Sequence, residues 1–142
     1  MISILVMTHG ELARGFIESS KMIVGETEKL EWLGLYPGDN IDEFNEKVIT
    51  KIQQLNDGSG VLIFTDLYGA SPFKATAYCA SKLGPQSYRS IAGVNFPMLI
   101  ESILMRDSKD LDTLALHIMS TGQEGIKELF VEAGAFQKEE QA

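Results

Sequence analysis

The chain has 142 residues, of which 44% are hydrophobic and 23% charged, as expected for one globular domain with a sizeable core. Its net charge of −8, without a basic stripe, excludes a nucleic-acid-binding surface. One cysteine, Cys79, excludes an internal disulfide and is predicted to be a buried apolar residue. Because the N-terminal apolar run is too short to cross a membrane and has no signal-peptide features, we expect a cytoplasmic protein.

The first predicted strand is an apolar run that begins at Ile2 and stops at His9. A run without alternation is typical of a strand buried on both faces, as in a parallel sheet covered by helices. A helix follows and is expected to stop at Gly25. Its predicted apolar face consists of residues at helical spacing: Leu12, Phe16 and Ile23.

The second predicted strand covers residues 30–36 and ends at the turn signal Pro37-Gly38. Asn40, with Glu43 three residues later, predicts the start of the second helix. The stripe that defines this helix consists of Ile41, Phe44, Val48, Ile52 and Leu55.

The third predicted strand, residues 60–65, is also buried and ends at Asp66. Ser71 is predicted to be the N-cap of the next helix, with Pro72 at its first position. That helix is expected to occupy about residues 73–83.

A fourth short strand is predicted at residues 88–92. Asn95 is the expected N-cap of a helix that runs to about Met105, and a last helix is predicted at about 111–122. Residues 126–131 fit either a helical extension or a strand. Residues 137–142 are expected to fray.

Strands that alternate with helices predict an α/β fold, a doubly wound and mostly parallel sheet with helices on both faces. We predict the strand order 2-1-3-4 in a single domain of residues 1–131, followed by a tail of residues 132–142. In that order strands one and three are neighbours at the topological switch point. His9 and Asp66 are therefore expected to share one crevice.

A histidine and an aspartate at one switch point suggest a chemical role that neither residue indicates alone. A carboxylate on one imidazole nitrogen fixes the tautomer and prepares the other nitrogen as a nucleophile or base. The helix start after Asp66 offers backbone N–H groups and a positive dipole end to an anion such as a phosphoryl group. The predicted phosphoryl-binding residues are Gly69, Ala70 and Ser71.

The sequence lacks the motifs of nucleotide-binding, metal-dependent and serine-nucleophile enzymes. The sequence has neither a P-loop nor a GxGxxG motif, no metal-binding spacing of histidine and cysteine, and no GxSxG elbow. We therefore expect no cofactor and no metal. His117 lies among apolar residues of the last helix and is interpreted as a packing or interface residue.

Four motifs resemble the enzyme IIA domain of the mannose-type sugar phosphotransferase system. They are Thr8-His9-Gly10 and residues 37–40, 60–73 and 91–99. The likeness extends in order over about residues 2–127. The resemblance implies that His9 accepts a phosphoryl group from the phosphocarrier HPr and passes it to a IIB protein, which serves a sugar permease. It also implies that Asp66 bonds the active histidine.

Members of that family are homodimers that exchange a C-terminal strand, so the resemblance favours residues 126–131 as that strand. We expect IIB to be a separate protein, because the chain stops soon after the IIA domain. Attachment to the membrane is expected only peripherally, through the permease complex. Mannose, fructose, sorbose and amino sugars are all compatible with a phosphate shuttle.

An apolar rim around His9 is predicted to dock the partner proteins. Its candidate residues are Tyr68, Phe73, Phe96 and Met98, and core packing explains Phe73 and Met98 equally well. The acidic character of the chain favours a partner with a basic face, such as HPr.

Two alternatives remain at this point. The phosphocarrier subunit of a dihydroxyacetone kinase shares the fold and a histidine at a strand end, although residues 37–40 and 92–99 favour the sugar system. A regulatory module could use the same crevice to bind an anion or a protein without forming a phosphoryl bond.

Overall fold

A parallel sheet of four strands in the order β2-β1-β3-β4 forms the centre of the protein in a computed structural model that describes residues 1–134. The strands are β1 (Ser3–His9), β2 (Leu30–Leu35), β3 (Val61–Thr65) and β4 (Tyr88–Ala92). The helices are α1 (Leu12–Val24), α2 (Ile41–Leu55), α3 (Ser71–Cys79), α4 (Phe96–Met105), α5 (Leu111–Glu124) and α6 (Leu129–Glu132). The predicted α/β fold and strand order are confirmed.

Alternate side chains of the two central strands build two separate cores. Ile4 and Phe64 belong to the core beneath α1, α4 and α5. Leu5 and Ile63 belong to the core beneath α2 and α3. Because both faces are covered, β1 and β3 need apolar residues at nearly every position, and this is why their sequences do not alternate.

Cys79 lies in the second core and is fully buried, as predicted. Burial, with a smaller contribution from the nearby Glu46 carboxylate, raises the pKa of the Cys79 thiol to about 11. Since the thiolate is the reactive form, Cys79 is a packing residue.

The buried face of α1 differs from the prediction. Ala13, Ile17 and Ser20 are buried, whereas Leu12 is 52% exposed and Ile23 is 63% exposed. Both sets recur at helical spacing, so periodicity alone could not choose between them. The set with the smaller side chains faces the sheet, which lets the helix pack closely against β1.

The boundaries of α3 also correct the prediction. Ala70, rather than Ser71, is the N-cap, and the helix begins at Ser71 with Pro72 in its first turn. The regular helix ends at Cys79 instead of residue 83. Residues 80–83 continue as turns, in which most backbone N–H groups bond the carbonyl three residues earlier rather than four.

Residues 126–131 do not form the predicted strand. Residues 126–128 are irregular, and Leu129–Glu132 form one helical turn in which the Glu128 side chain accepts a hydrogen bond from the Val131 N–H at 2.8 Å. A strand requires a neighbour to pair with, whereas this turn is stabilised locally by its own cap. Residues 137–142, predicted to fray, and most of the predicted tail lie outside the described residues.

A buried arginine holds the amino-terminal end of the sheet together. Arg106, at the end of α4, is 3% exposed and donates hydrogen bonds to the carbonyls of Ile2, Glu28 and Lys29. Lys29 has a positive φ of 53°, an uncommon conformation for a residue with a side chain. Arg106 therefore fixes the loop before β2 at the end of the sheet opposite His9.

Candidate active site

His9 and Asp66 meet where the pairing between β1 and β3 stops. The last paired residues of these strands are Met7 and Thr65. One residue beyond this register, the side chain of Asp66 turns back to His9. The topology thus brings together two residues that are 57 positions apart in the sequence, as predicted.

One carboxylate oxygen of Asp66 contacts His9 twice. Oδ2 accepts the backbone N–H of His9 at 2.9 Å and lies 2.7 Å from ring atom Nδ1. The other oxygen, Oδ1, accepts the N–H of Leu67 at 3.0 Å. Partial burial of Asp66 acts to raise its pKa, but the hydrogen bonds from His9 and Leu67 prevail and hold that pKa below its ordinary value.

Because the Asp66 carboxyl is ionised, Nδ1 of His9 carries the proton in their hydrogen bond. The opposite ring nitrogen, Nε2, is then the one with a free lone pair. The side chain of His9 is 50% exposed, whereas that of Asp66 is 11% exposed. The site therefore combines a largely buried carboxylate with an imidazole ring that a large partner could reach.

The turn after His9 is held against the end of β2. The N–H of Gly10 donates to the carbonyl of Leu35 at 2.8 Å. A Cβ atom on Gly34 would lie 2.5 Å from the carbonyl oxygen of Gly10, so only glycine permits this close approach.

A polar cluster that the sequence analysis did not single out borders the site on this side. The hydroxyl of Tyr36 donates to Glu11, and Glu11 also pairs with Arg14 at 3.1 Å. These hydrogen bonds lower the pKa of Glu11, and the bond to Glu11 raises the pKa of Tyr36. Glu11 and Tyr36 are 25 residues apart, one just before α1 and the other just after β2, so the sequence does not show that they meet.

The predicted phosphoryl-binding loop lies between Asp66 and α3. Gly69 has a φ of +81°, and the space where its side chain would stand is open. The N–H of Ala70 is already used, because it donates to the carbonyl of Leu67 at 3.3 Å. Ser71 and Phe73 lie in the first turn of α3, whose N–H groups have no partners inside the helix.

Of the predicted docking residues, two form a pair beside the loop. Tyr68 is 84% exposed, and its ring lies 5.0 Å from the ring of Phe73, which is half-buried. Phe96 is also half-buried and packs against Phe16 of α1 with ring centroids 6.3 Å apart. The latter pair, with Leu12, lines an apolar groove of about 420 Å³ between α1 and α4.

Met98 corrects the prediction of a docking role. Its side chain is 4% exposed, and a Cβ atom on Gly122 would come within 2.7 Å of it. Asn95 caps α4 by accepting the backbone N–H of Met98 at 3.1 Å, while the Met98 side chain lies against Gly122 of α5. Met98 is a core residue.

His117 bonds Glu101 at 2.8 Å between α5 and α4, away from His9. Among residues 1–134, no group of three or more potential ligands could hold a metal ion. Within the same residues, none of the helices has the length and apolar character required to cross a membrane.

The fold has close counterparts among solved structures. A PTS IIA protein associated with the fucose utilization operon from Streptococcus pneumoniae is 33% identical, with a TM-score of 0.79 over 96% of this chain and 100% of that chain. The phosphotransferase system component EIIA from Streptococcus agalactiae has a TM-score of 0.82 at 24% identity, over 90% of this chain and 97% of that one. The fold, together with the 33% identity over nearly the whole chain, thus defines a IIA component of the phosphotransferase system.

Sequence comparison names the family. The family model described as the PTS system fructose IIA component (EIIA-man) matches residues 3–119, and the chain belongs to this family. The mannose-specific EIIAB component of Escherichia coli K12 is 36% identical over 129 residues, which are 90% of this chain. The chain spans only 39% of the length of that relative.

Proposed function

We propose that this IIA component is the phosphocarrier between HPr and a IIB protein in phosphoenolpyruvate-dependent sugar uptake, with His9 as the residue that carries the phosphoryl group. One observation supports this most directly, namely the double contact of Asp66 Oδ2 with the backbone and ring of His9. A carboxylate in that position keeps Nε2 free for bond formation and keeps the ring from turning.

All bonds that form and break in the transfer step involve only His9 and the donor. Neutral His9 attacks the phosphorus of phospho-HPr through Nε2; the new N–P bond forms as the bond from phosphorus to HPr breaks, and the electron pair of that bond leaves with HPr. The proton on Nδ1 stays in the hydrogen bond to Asp66, whose negative charge balances the positive charge that develops on the ring. Attack by a nucleophile of IIB on the same phosphorus then returns neutral His9.

Backbone N–H groups next to His9 are proposed to hold the phosphoryl oxygens. Those of Gly69 and Ser71 are the candidates, together with the N-terminal end of α3. Ala70 contributes through its small side chain and its position as N-cap, since its own N–H is bonded to Leu67. A loose phosphoryl-transfer transition state gains mainly from such positioning and charge stabilisation.

Partner docking is assigned to the apolar residues on both sides of His9. Tyr68 and Phe73 lie on the α3 side, whereas Leu12, Phe16 and Phe96 surround the groove on the other side. Accessible aromatic and aliphatic groups often dominate the energetics of protein interfaces. HPr and IIB would use this surface in turn, because each must reach the same nitrogen of His9.

A homodimer and a cytoplasmic location, with contact to the membrane only through the permease complex, complete the proposal. Ile126, Leu129 and Phe130 are 60% to 77% exposed, which leaves an apolar segment for a second copy to cover. Light scattering would give the oligomeric state of the full chain, and Phe130→Asp should shift it towards the monomer.

Intact-mass spectrometry after incubation with enzyme I, HPr and phosphoenolpyruvate tests the carrier role. The measurement is made at neutral to alkaline pH, because phosphohistidine is acid-labile. We expect one added phosphoryl group that depends on HPr and is absent in His9→Ala. His117→Gln is the matched control, since it removes the only other histidine. Failure of the native chain to gain mass while HPr itself is phosphorylated would refute the proposal.

A further inference from the structure

Thr8, the residue before His9, has a buried hydroxyl with two hydrogen bonds. Its side chain is fully buried. Oγ1 accepts the N–H of Ala13 at 2.7 Å and donates to the carbonyl of His9 at 3.1 Å. One hydroxyl thus connects the end of β1, the backbone of His9 and the first turn of α1.

This connection replaces the usual helix cap. The N-cap residue of α1 is Glu11, whose side chain makes no capping hydrogen bond and instead contacts Tyr36 and Arg14. Ala13 lies in the first turn, where N–H groups lack partners inside the helix, and it is fully buried. Thr8 therefore satisfies a buried donor from outside the helix.

Both backbone polar groups of His9 are hydrogen-bonded to side chains. Its N–H donates to Asp66, and its carbonyl accepts from Thr8. Because the peptide between His9 and Gly10 is joined to the Cα atom of His9, a displacement of that peptide would move the residue, and with it the ring, relative to Asp66. Asp66 alone does not fix that peptide, because it contacts only the N–H and the ring.

We infer that Thr8 is a positioning residue for the phosphoryl transfer at His9. Its hydroxyl fixes the peptide that follows His9 to the start of α1, so the ring meets Asp66 through Nδ1 and presents Nε2 to the partner. The inference rests on the proposed function of His9. Small misplacements of a reacting group can reduce rates about a hundredfold, so a residue that contacts no substrate can act in this way.

The test compares Thr8→Val with Thr8→Ser and with the native chain. Valine keeps the shape and removes the hydroxyl, whereas serine keeps the hydroxyl. We expect Thr8→Val to lower the rate of phosphoryl transfer from phospho-HPr by roughly ten- to a hundredfold, with KM for HPr unchanged. Thr8→Ser should restore most of the rate.

Ser20→Ala is the matched control. Ser20 also has a fully buried hydroxyl. It lies in α1, the helix whose first turn Thr8 contacts, and it donates to the carbonyl of Ile17 at 2.7 Å. If loss of a buried hydroxyl bond matters only through stability, Ser20→Ala and Thr8→Val should slow transfer equally. That result would overturn the inference.

A second readout requires neither a partner nor transfer. In ¹⁵N NMR spectra of the native chain, His9 should show a single tautomer with the proton on Nδ1, and Thr8→Val should show a mixture. If Thr8→Val does not fold, hydrogen exchange of the native chain provides the test. The amide of Ala13, which donates to Thr8, should then be protected as strongly as the amides in the middle of α1. An unprotected Ala13 amide, or an unchanged tautomer in Thr8→Val, would refute the role of Thr8. A native chain that shows these features but accepts no phosphoryl group would refute the carrier function instead.

Discussion

Asp66 Oδ2 accepts two hydrogen bonds from His9, one from the backbone N–H at 2.9 Å and one from ring atom Nδ1 at 2.7 Å. The same oxygen thereby fixes where the residue sits and which way its ring points. A carboxylate that contacted the ring alone would leave the backbone N–H of His9 without this partner. The pair therefore forms a unit whose two bonds break together when Asp66 is changed.

Asp66→Asn should slow phosphoryl transfer by between about a hundredfold and ten-thousandfold while the fold survives. The amide carries no charge to stabilise the developing imidazolium, and its NH₂ group can select the wrong tautomer. Stopped-flow phosphorylation by phospho-HPr measures the effect. Asp39→Asn is the control, because Asp39 also accepts a backbone N–H, from Tyr36 at 2.8 Å, in the turn after β2. Equal rates for Asp66→Asn and the native chain would exclude the assigned role.

The stability of the protein should depend on Asp66 at acidic pH. Its pKa is lowered in the folded state, since the hydrogen bonds from His9 and Leu67 outweigh the effect of burial. The unfolded chain therefore binds a proton more readily, and stability from Asp66 is present above the ordinary aspartate pKa of about 3.9 and lost as pH falls through the folded value. Urea unfolding between about pH 6 and pH 3 should show a smaller decline for Asp66→Asn than for the native chain. Parallel declines would contradict this prediction.

Gly69→Ala should impair transfer beyond its effect on stability. The φ of +81° at Gly69 is costly for alanine, although the space for its Cβ is open. Gly58, with a φ of +111° and equally open space, lies in the turn before β3 and gives the matched variant Gly58→Ala. Both should lose about 1 kcal/mol of unfolding free energy, but only Gly69→Ala should lower the transfer rate. Thermal denaturation and phosphorylation rates measured together decide the outcome.

Tyr68→Ala should weaken binding of HPr more than it slows the chemical step. Tyr68 is 84% exposed and supports Phe73 through ring contact, so its loss removes part of the proposed docking surface. We expect KM for HPr to rise by about tenfold, with a much smaller change in kcat. Met22→Ala removes a side chain that is 87% exposed near the other end of α1 and should leave both constants unchanged. The same KM in both variants would remove Tyr68 from the docking surface.

Arg106→Met should destabilise the fold without a direct effect on the site. The change removes the buried donor of the carbonyls of Ile2 and Glu28, whereas the Lys29 carbonyl keeps its bond from the Ile4 N–H. The loss should cost about 3 kcal/mol of unfolding free energy. Arg89→Met removes an arginine from a more exposed ion pair with Asp112 and should cost less than about 1 kcal/mol. Denaturant unfolding of both variants measures the difference, and the folded fraction of Arg106→Met should retain the native transfer rate.

Much of this architecture could be predicted from the sequence. Two apolar runs without alternation identified the strands that are buried on both faces. The polar residues at the ends of these runs, His9 and Asp66, were thereby identified as the candidate site. The alternation of strands and helices then led to the strand order, which made these two residues neighbours. Local patterns suffice here because strand burial and chain connectivity leave few alternative topologies.

Only the tertiary structure determined which side of a helix is buried and which groups still need a partner. In α1, periodicity fitted both Leu12 with Phe16 and Ala13 with Ile17, and close packing on the sheet decided for the second pair. Met98 is buried because it meets Gly122, which lies on another helix. The two bonds of Thr8 were likewise not predictable, because the sequence cannot show that Glu11 leaves the first turn of α1 uncapped. Such contacts depend on distances between elements, and the order of residues along the chain does not specify them.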